Sequence, residues 1–136
     1  NTHKTASYQL AKEIVMMKIV NITQHTAVSD QLAAGVVELN ADLRLVVSGL
    51  LTFDSLPTKA EILERAEKLA QLVESEGFTT AMIGGAPWFM AELERQLAKV
   101  GVKAVYAFSQ RVSVEDIVDG TVIKRAIFKH VGFVGV

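Results

Sequence analysis

A four-turn helical repeat followed by a short apolar run and two glycines constrains this fold more than any other feature. Apolar residues recur at helical intervals over residues 58–76. Residues 81–83 are apolar but too few for a helix, and Gly84-Gly85 follows them. Pro87 then suits the first position of a new helix. A helix, a buried strand and a second helix in succession indicate a parallel α/β unit.

The first of these helices carries its own start signal and a solvent-facing side. Thr58 is a predicted N-cap, and Glu61 completes a capping box three residues later. Glu61 and Glu64 each have a basic residue four positions on, at Arg65 and Lys68. We therefore assign these charges to a solvated surface, not to a binding patch.

Similar patterns predict the other elements. The predicted strands cover residues 18–23, 36–39, 81–83, 102–113 and 121–134, and the predicted helices cover residues 29–34, 41–51, 58–76 and 87–100. The strand over 102–108 is apolar on both faces, which is typical of an interior strand. Asp119-Gly120 is a hairpin-turn signal. The pattern predicts a Rossmann-like α/β fold: a mostly parallel sheet with flanking helices and a C-terminal antiparallel hairpin.

Two helices in the first half have weaker signals. Ser29 is the predicted N-cap of the helix over 29–34, and Asn40 that of the helix over 41–51. The predicted apolar stripe of the second helix consists of Leu43, Val46, Val47, Leu50 and Leu51. Because residues 45–47 are apolar on every side, this segment is alternatively a buried strand.

The length of the chain predicts one domain. Met16 and Met17 directly precede the first strand, so we expect residues 1–15 to be an upstream extension or an expression remnant. Residues 16–136 are then a single α/β domain, since 136 residues suit one domain.

Composition and net charge limit the classes of binding partner that we expect for this protein. Half of the residues are hydrophobic, and we expect the surplus at a subunit interface of a homo-oligomer, most simply a homodimer. A net charge of -1 argues against duplex nucleic acid, and no apolar run has the length of a membrane span. The absence of cysteine suits a cytoplasmic protein. His3, His25 and His130 share no spacing, so no metal site is predicted, and nothing identifies a cofactor.

Polar clusters follow three predicted parallel strands, at residues 23–26, 84–85 and 109–111. The carboxyl ends of parallel strands meet at one edge of a sheet, and ligands bind there near the strand-order reversal. The predicted ligand-binding residues are Thr23, Gln24, His25, Gly84, Gly85, Ala86, Trp88, Ser109 and Arg111. This convergence predicts a site for a small anionic or nucleotide-like ligand.

Each predicted role has an alternative. Amides near Gly85 and Ala86 would hold an anion at a helix N-terminus, although a Gly-Gly turn more often only connects a strand to a helix. Arg111 would add a guanidinium group that can bind phosphate or carboxylate through two hydrogen bonds. Trp88 would stack on a planar base, but Trp88 and Phe89 are more typical of core or interface aromatics. Arg111 alternatively pairs with nearby carboxylates, at Glu115 or Asp116.

Two other functions are compatible with the sequence. His25 as general acid/base, with Asp54 as its nearest candidate carboxylate, would make a hydrolase, although His25 is more typical of a cap or surface residue. A protein-interaction or assembly subunit would instead use the apolar strand over 128–136 and the helix near Leu45. The residues leave open whether the protein is an enzyme.

Five strings carry a resemblance to known proteins: residues 21–25 (NITQH), 51–54 (LTFD), 82–87 (MIGGAP), 106–109 (YAFS) and 128–133 (FKHVGF). They resemble a group of small uncharacterised bacterial proteins found on mobile elements, over residues 18–136, and this resemblance implies no function. The arrangement is also loosely similar to CARF-type Rossmann-like domains, which bind cyclic oligoadenylates. Thr23 and Gly84-Gly85 match the small polar residue and the glycine turn of those domains.

Overall fold

Short β-branched runs form the strands, and segments of helical period form the helices. The computed structural model describes residues 18–136. The strands are β1 (Ile19–Asn21), β2 (Val36–Val37), β3 (Thr80–Met82), β4 (Lys103–Val118) and β5 (Thr121–Gly135). The helices are α1 (Ser29–Ala33), α2 (Ala41–Leu51), α3 (Lys59–Ser75) and α4 (Pro87–Lys99). The predicted extension over residues 1–15 lies outside the described residues.

The five strands form one sheet in the order β2-β1-β3-β4-β5. β1 pairs in parallel with β2 and β3, β3 pairs in parallel with β4, and β5 is antiparallel to β4. The predicted fold class is therefore confirmed, and β4 is interior as expected. The chain first moves from β1 to β2 and later crosses back to β3, so the strand order reverses between β1 and β3.

The core lies mainly on one face of the sheet. Alternate strand residues belong to different clusters, because side chains of a strand alternate between faces. Val20, Ala81 and Ala104 join the large cluster formed with α2, α3 and α4. On the other face, Met82 and Val105 belong to a smaller cluster.

Two of the three predicted helix caps are confirmed. The Thr58 hydroxyl accepts a hydrogen bond from the Glu61 amide at 3.1 Å. The Asn40 side chain accepts one from the Leu43 amide at 2.9 Å. The prediction of Ser29 as an N-cap was wrong, because the N-cap position is one residue earlier, at Val28, whose side chain cannot accept a hydrogen bond.

Residues 41–51 are helical, which settles the alternative in favour of a helix. Its stripe differs from the prediction, because Val46 is half exposed while Val47 is buried. Strands β1 and β2 are each shorter than predicted, ending at Asn21 and Val37. At these two strand ends the side chains of Asn21 and Glu38 are hydrogen-bonded to each other and to the loop over residues 23–27.

The C-terminal hairpin is longer than its sequence indicated. Asp119 and Gly120 form its turn, with φ of 50° and 77°. The predicted end of β4 at Ser113 was wrong, since pairing with β5 continues as far as Val118 opposite Thr121. Within residues 18–136, no helix has both the length and the apolarity needed to cross a membrane.

Candidate functional site

An open cavity of about 520 Å³ lies where β1 and β3 end, at the strand-order reversal. Its lining comes from the loop after β1, from the end of β3 with the loop that follows it, from β4, from α1 and α4, and from the end of α2 with the loop after it. The lining residues are Thr23, Gln24, His25, Thr26, Gln31, Leu51, Phe53, Met82, Ile83, Gly84, Gly85, Ala86, Phe89, Met90, Tyr106 and Ala107. Crevices at this position of doubly wound sheets are the usual location of ligands.

The glycine turn forms one wall of the cavity. Gly85 has φ of 151°, a conformation that side chains rarely adopt, and a Cβ there would approach the Met90 methyl to 3.3 Å. Among the hydrogen bonds of residues 18–136, none uses the amides of Gly84, Gly85 or Ala86. Pro87 is the first residue of α4, so the positive end of that helix dipole lies beside these amides. The turn therefore offers donors and a favourable potential to an anion.

A buried asparagine shapes the adjoining wall. Asn21, at the end of β1, is 5% exposed. Its Oδ1 accepts from the Thr23 amide at 2.9 Å and from the Thr23 hydroxyl at 2.7 Å. Its Nδ2 donates to the His25 carbonyl and to Glu38 Oε1, both at 2.7 Å. These four bonds fold residues 22–26 into the loop that lines the cavity.

Glu38 extends this network to the second half of the loop. Its Oε1 also accepts from the Ala27 amide at 3.2 Å, and its Oε2 lies 3.8 Å from the Arg44 guanidinium. A smaller hollow of about 370 Å³, on the side of β2, is lined by Glu38, Arg44 and Ser48 together with residues 23–26. The loop over 23–26 therefore separates two depressions.

An aromatic cluster closes the side of the cavity formed by α2 and α4. Phe53 packs edge-to-face against Trp88 and Phe89, with centroid distances of 5.0 and 5.2 Å. The Arg65 guanidinium lies 4.2 Å from the Phe53 centroid and also donates to the Thr52 carbonyl. Arg65 thus fixes the loop after α2 by a cation–π contact and a hydrogen bond. Phe53 and Arg65 were missed from the sequence, since their contact joins segments on different elements.

Tyr106, on β4, forms part of the cavity floor and packs against the main core. Burial, together with a hydrogen bond and charge interaction with Glu94, raises its pKa to about 12. The phenol is therefore protonated at physiological pH, and its hydrogen-bond partner is Glu94, which is not among the lining residues. Sequence alternation along β4 gave no indication of this contact.

We expect the Tyr106 phenol to titrate well above the ordinary tyrosine value of 10. Because its folded-state pKa is raised, its contribution to stability is complete below about pH 10 and is lost as the pH rises through about 12. The Cζ resonance of ¹³C-labelled tyrosine measures this titration, and Tyr106→Phe assigns the signal. A midpoint at the ordinary value for the assigned signal would contradict the burial argument.

Six of the predicted ligand-binding residues lie together in the cavity lining: Thr23, Gln24, His25, Gly84, Gly85 and Ala86. Trp88, Ser109 and Arg111 are not among the lining residues. Trp88 is half exposed on the outer side of the aromatic cluster. Ser109 and Arg111 lie farther along β4, where it has left the sheet, so a ligand role for them stays a prediction.

The charges and titratable groups of the cavity limit its chemistry. None of its lining residues is Asp, Glu, Lys or Arg. Asp54 is exposed beside the lining residue Phe53 and has no hydrogen bond to His25 among the described residues. Residues 18–136 contain no cluster of three His, Cys, Asp or Glu side chains able to hold a metal ion. The lining offers neutral donors and aromatic surface, which suits binding more than acid–base chemistry.

The fold and the position of the cavity define this protein as an α/β domain with a mostly parallel sheet, flanking helices and an open crevice at its strand-order reversal. The chain belongs to the Uncharacterized protein MJ1673 family, whose family profile matches residues 17–134. No curated protein and no solved structure is significantly similar to it. Membership confirms the expected kinship to an uncharacterised family of small proteins, while an origin on mobile elements stays a prediction.

Proposed function

We propose that the cavity binds a small anionic, nucleotide-like ligand. The observation that carries this proposal is the turn at Gly84–Ala86, which lines the cavity at the N-terminus of α4 and whose amides make no hydrogen bond among the described residues. Amides and a helix dipole together stabilise phosphate or carboxylate groups. No acidic side chain lines the cavity, where it would repel an anion directly.

The rest of the cavity fits the non-anionic part of such a ligand. Phe53 and Met90 provide apolar contact surface, and Tyr106 and Gln24 provide polar groups that would fix an orientation. A planar base packed against Phe53 would lie within the same cavity as the glycine turn. A nucleotide combines both features, and the resemblance to CARF-type domains favours nucleotide chemistry as well.

Gly84→Ala provides a sharp test of the anion site. The Gly84 backbone accepts a side chain without strain, and the new methyl would lie 3.6 Å from the Thr23 methyl, within the cavity lining. We expect the fold to be unchanged and the affinity for a phosphate-bearing ligand to fall by about tenfold or more, as for one lost hydrogen bond to a charged group. Thermal shift with nucleotides, cyclic oligonucleotides, sugar phosphates and inorganic phosphate, followed by calorimetry, measures this.

Gly49→Ala is the matched control. Gly49 is exposed in α2, and a Cβ there would meet nothing within 4 Å. This variant should bind like the wild type and be more stable by about 0.5–1 kcal/mol, since alanine is the better helix former. Equal affinity of Gly84→Ala and wild type would contradict the placement of the anion, and absence of binding to every phosphate tested would contradict the proposed ligand class.

A hydrolase that uses His25 has less support. The His25 main chain holds the loop through its bonds to Asn21 and Thr23, whereas no hydrogen bond among the described residues involves its imidazole. A general base normally has a partner that fixes its ring. We therefore propose binding and no reaction.

A further inference from the structure

The distal part of the C-terminal hairpin, residues 109–130, is called the ribbon here. β4 pairs with β3 only over Lys103–Val105, and beyond that point its strand partner within the described residues is β5. The ribbon thus has two unpaired edges, and a two-stranded ribbon alone is marginally stable in water. The ribbon extends beyond the rest of the sheet on the side where the cavity lies, because the carboxyl-terminal part of β4 continues past the end of β3.

One face of the ribbon carries large exposed apolar side chains. Cross-strand partners share a face, and this face contains the pairs Arg111/Phe128, Ser113/Ala126, Glu115/Lys124 and Ile117/Val122. Phe128 is 76% exposed and Ile117 is 77% exposed. These two side chains lie at opposite ends of the face, since Phe128 is paired with Arg111, six residues before Ile117. Large apolar side chains this exposed indicate an interaction surface. We call it the Phe128 face.

The charged residues of the Phe128 face are arranged so that two copies of this face would be complementary to each other. Arg111 lies two residues before Ser113, and Glu115 lies two residues after it on the same face. A two-fold axis at the Ser113/Ala126 pair, perpendicular to the strands, would bring Arg111 of each copy opposite Glu115 of the other. The same rotation brings Lys124 over the Phe128 ring of the other copy. Small side chains at the centre, Ser113 and Ala126, permit close approach.

The opposite face of the ribbon is also apolar, but its apolar side chains are less exposed than Phe128 and Ile117: Val112, Val114 and Ile127 are half-buried, and Val118 and Ile123 are about half exposed. There, Asp116 and Arg125 form an ion pair within the chain at 2.5 Å. On the Phe128 face, the Glu115–Lys124 pair is long, at 4.0 Å, and both side chains are largely exposed. Arg111 was expected to pair with Glu115 or Asp116, but both carboxylates pair across to β5.

We propose that a second copy of this chain covers the Phe128 face, in an antiparallel two-fold dimer centred on Ser113 and Ala126. Residue 113 is midway between 107 and 119 along β4, so the hairpin turn at Asp119-Gly120 of one copy reaches the level of Ala107 of the other. Ala107 lines the cavity. The second copy therefore contributes its turn to the rim of the cavity. The dimer itself is independent of the proposed ligand; only this last step rests on it.

Reversal of the charge at Arg111 or at Glu115 tests the dimer, because these two residues would face each other across its interface. Arg111→Glu places glutamate opposite Glu115 at both ends of the interface, and Glu115→Arg places arginine opposite Arg111. We expect the dimer dissociation constant of each variant to rise by about a hundredfold or more, since like charges brought together at an interface are strongly unfavourable. Sedimentation velocity over a concentration series measures the change, and circular dichroism verifies folding.

An equimolar mixture of Arg111→Glu and Glu115→Arg tests whether restoring opposite charges at these positions restores the dimer. In a mixed dimer every contact again joins a glutamate to an arginine, so the mixture should dimerise although neither variant does alone. Lys129→Glu is the matched control, because it makes the same change of charge on the opposite face and should leave the wild-type dimer intact. A monomeric wild type at all concentrations, or a mixture that stays monomeric, would overturn the proposal.

Discussion

Replacing Phe89 with alanine is expected to lower the free energy of unfolding by about 3–5 kcal/mol, the usual range for a buried phenylalanine. Phe89 is 1% exposed, belongs to the main core and packs against Phe53 at 5.2 Å. It also lines the cavity, so collapse around the deletion would have to move the aromatic wall of the site. Urea unfolding followed by tryptophan fluorescence and circular dichroism measures the loss.

Trp88→Ala is the control for this prediction, with circular dichroism as its probe. Trp88 occupies the same helical turn and the same aromatic cluster, but it is 49% exposed. Its replacement should cost about 1 kcal/mol, because solvent already reaches the side chain and little cavity forms. Equal losses for the two variants would show that edge-to-face contacts, and not burial, determine the stability of this wall.

The contrast between these neighbours also shows what sequence periodicity resolves. The stripe of α4 at Met90, Leu93 and Leu97 was predicted and is buried. At the first turn, periodicity alone did not separate Trp88 from Phe89, because the contact that distinguishes them comes from Phe53, in a loop more than thirty residues earlier. Local spacing predicts a helix face, while partners distant in sequence decide how deeply each residue at its edge is buried.

The same distinction explains which site residues were predicted. The glycine turn and the loop over 23–26 directly follow strands, so the topology alone placed them at one edge. Ser109 and Arg111 were assigned to that edge although the predicted strand continued to Ser113. β4 continues past that edge, because Arg111 pairs with Phe128 of β5 and the hairpin outruns the sheet. The sequence of a long hairpin does not indicate where the strand on its other side, here β3, ends.

Asn21 is the residue of the site that sequence reasoning missed most completely. It lies between Val20 and Ile22 in β1, and strand alternation places such a polar residue on a solvent-facing side. That face is covered here, and the side chain finds a partner in Glu38, seventeen positions away. The role of Asn21 is therefore visible only in the tertiary structure, where its buried amide at the end of β1 supplies hydrogen bonds to the loop that follows.

Replacing Asn21 with alanine is accordingly expected to destabilise the protein by about 3 kcal/mol, since buried groups that lose a hydrogen-bond partner each cost about 1–3 kcal/mol. The variant removes both bonds to Thr23 and those to the His25 carbonyl and Glu38. Part of the loss is recovered where water reaches the loop. Urea unfolding gives the stability, and hydrogen exchange at the Thr23 amide reports the opening of the loop over residues 22–26.

Asn40→Ala is the matched substitution, because Asn40 forms one hydrogen bond, to the Leu43 amide, at an exposed helix start. It should cost about 1 kcal/mol, as N-cap replacements do, and leave exchange at Thr23 unchanged. If Asn21→Ala cost no more than Asn40→Ala, the buried network would not be what holds this loop. If it costs more and also accelerates exchange at Thr23, the wall of the cavity depends on a single amide side chain, and ligand affinity should fall with it.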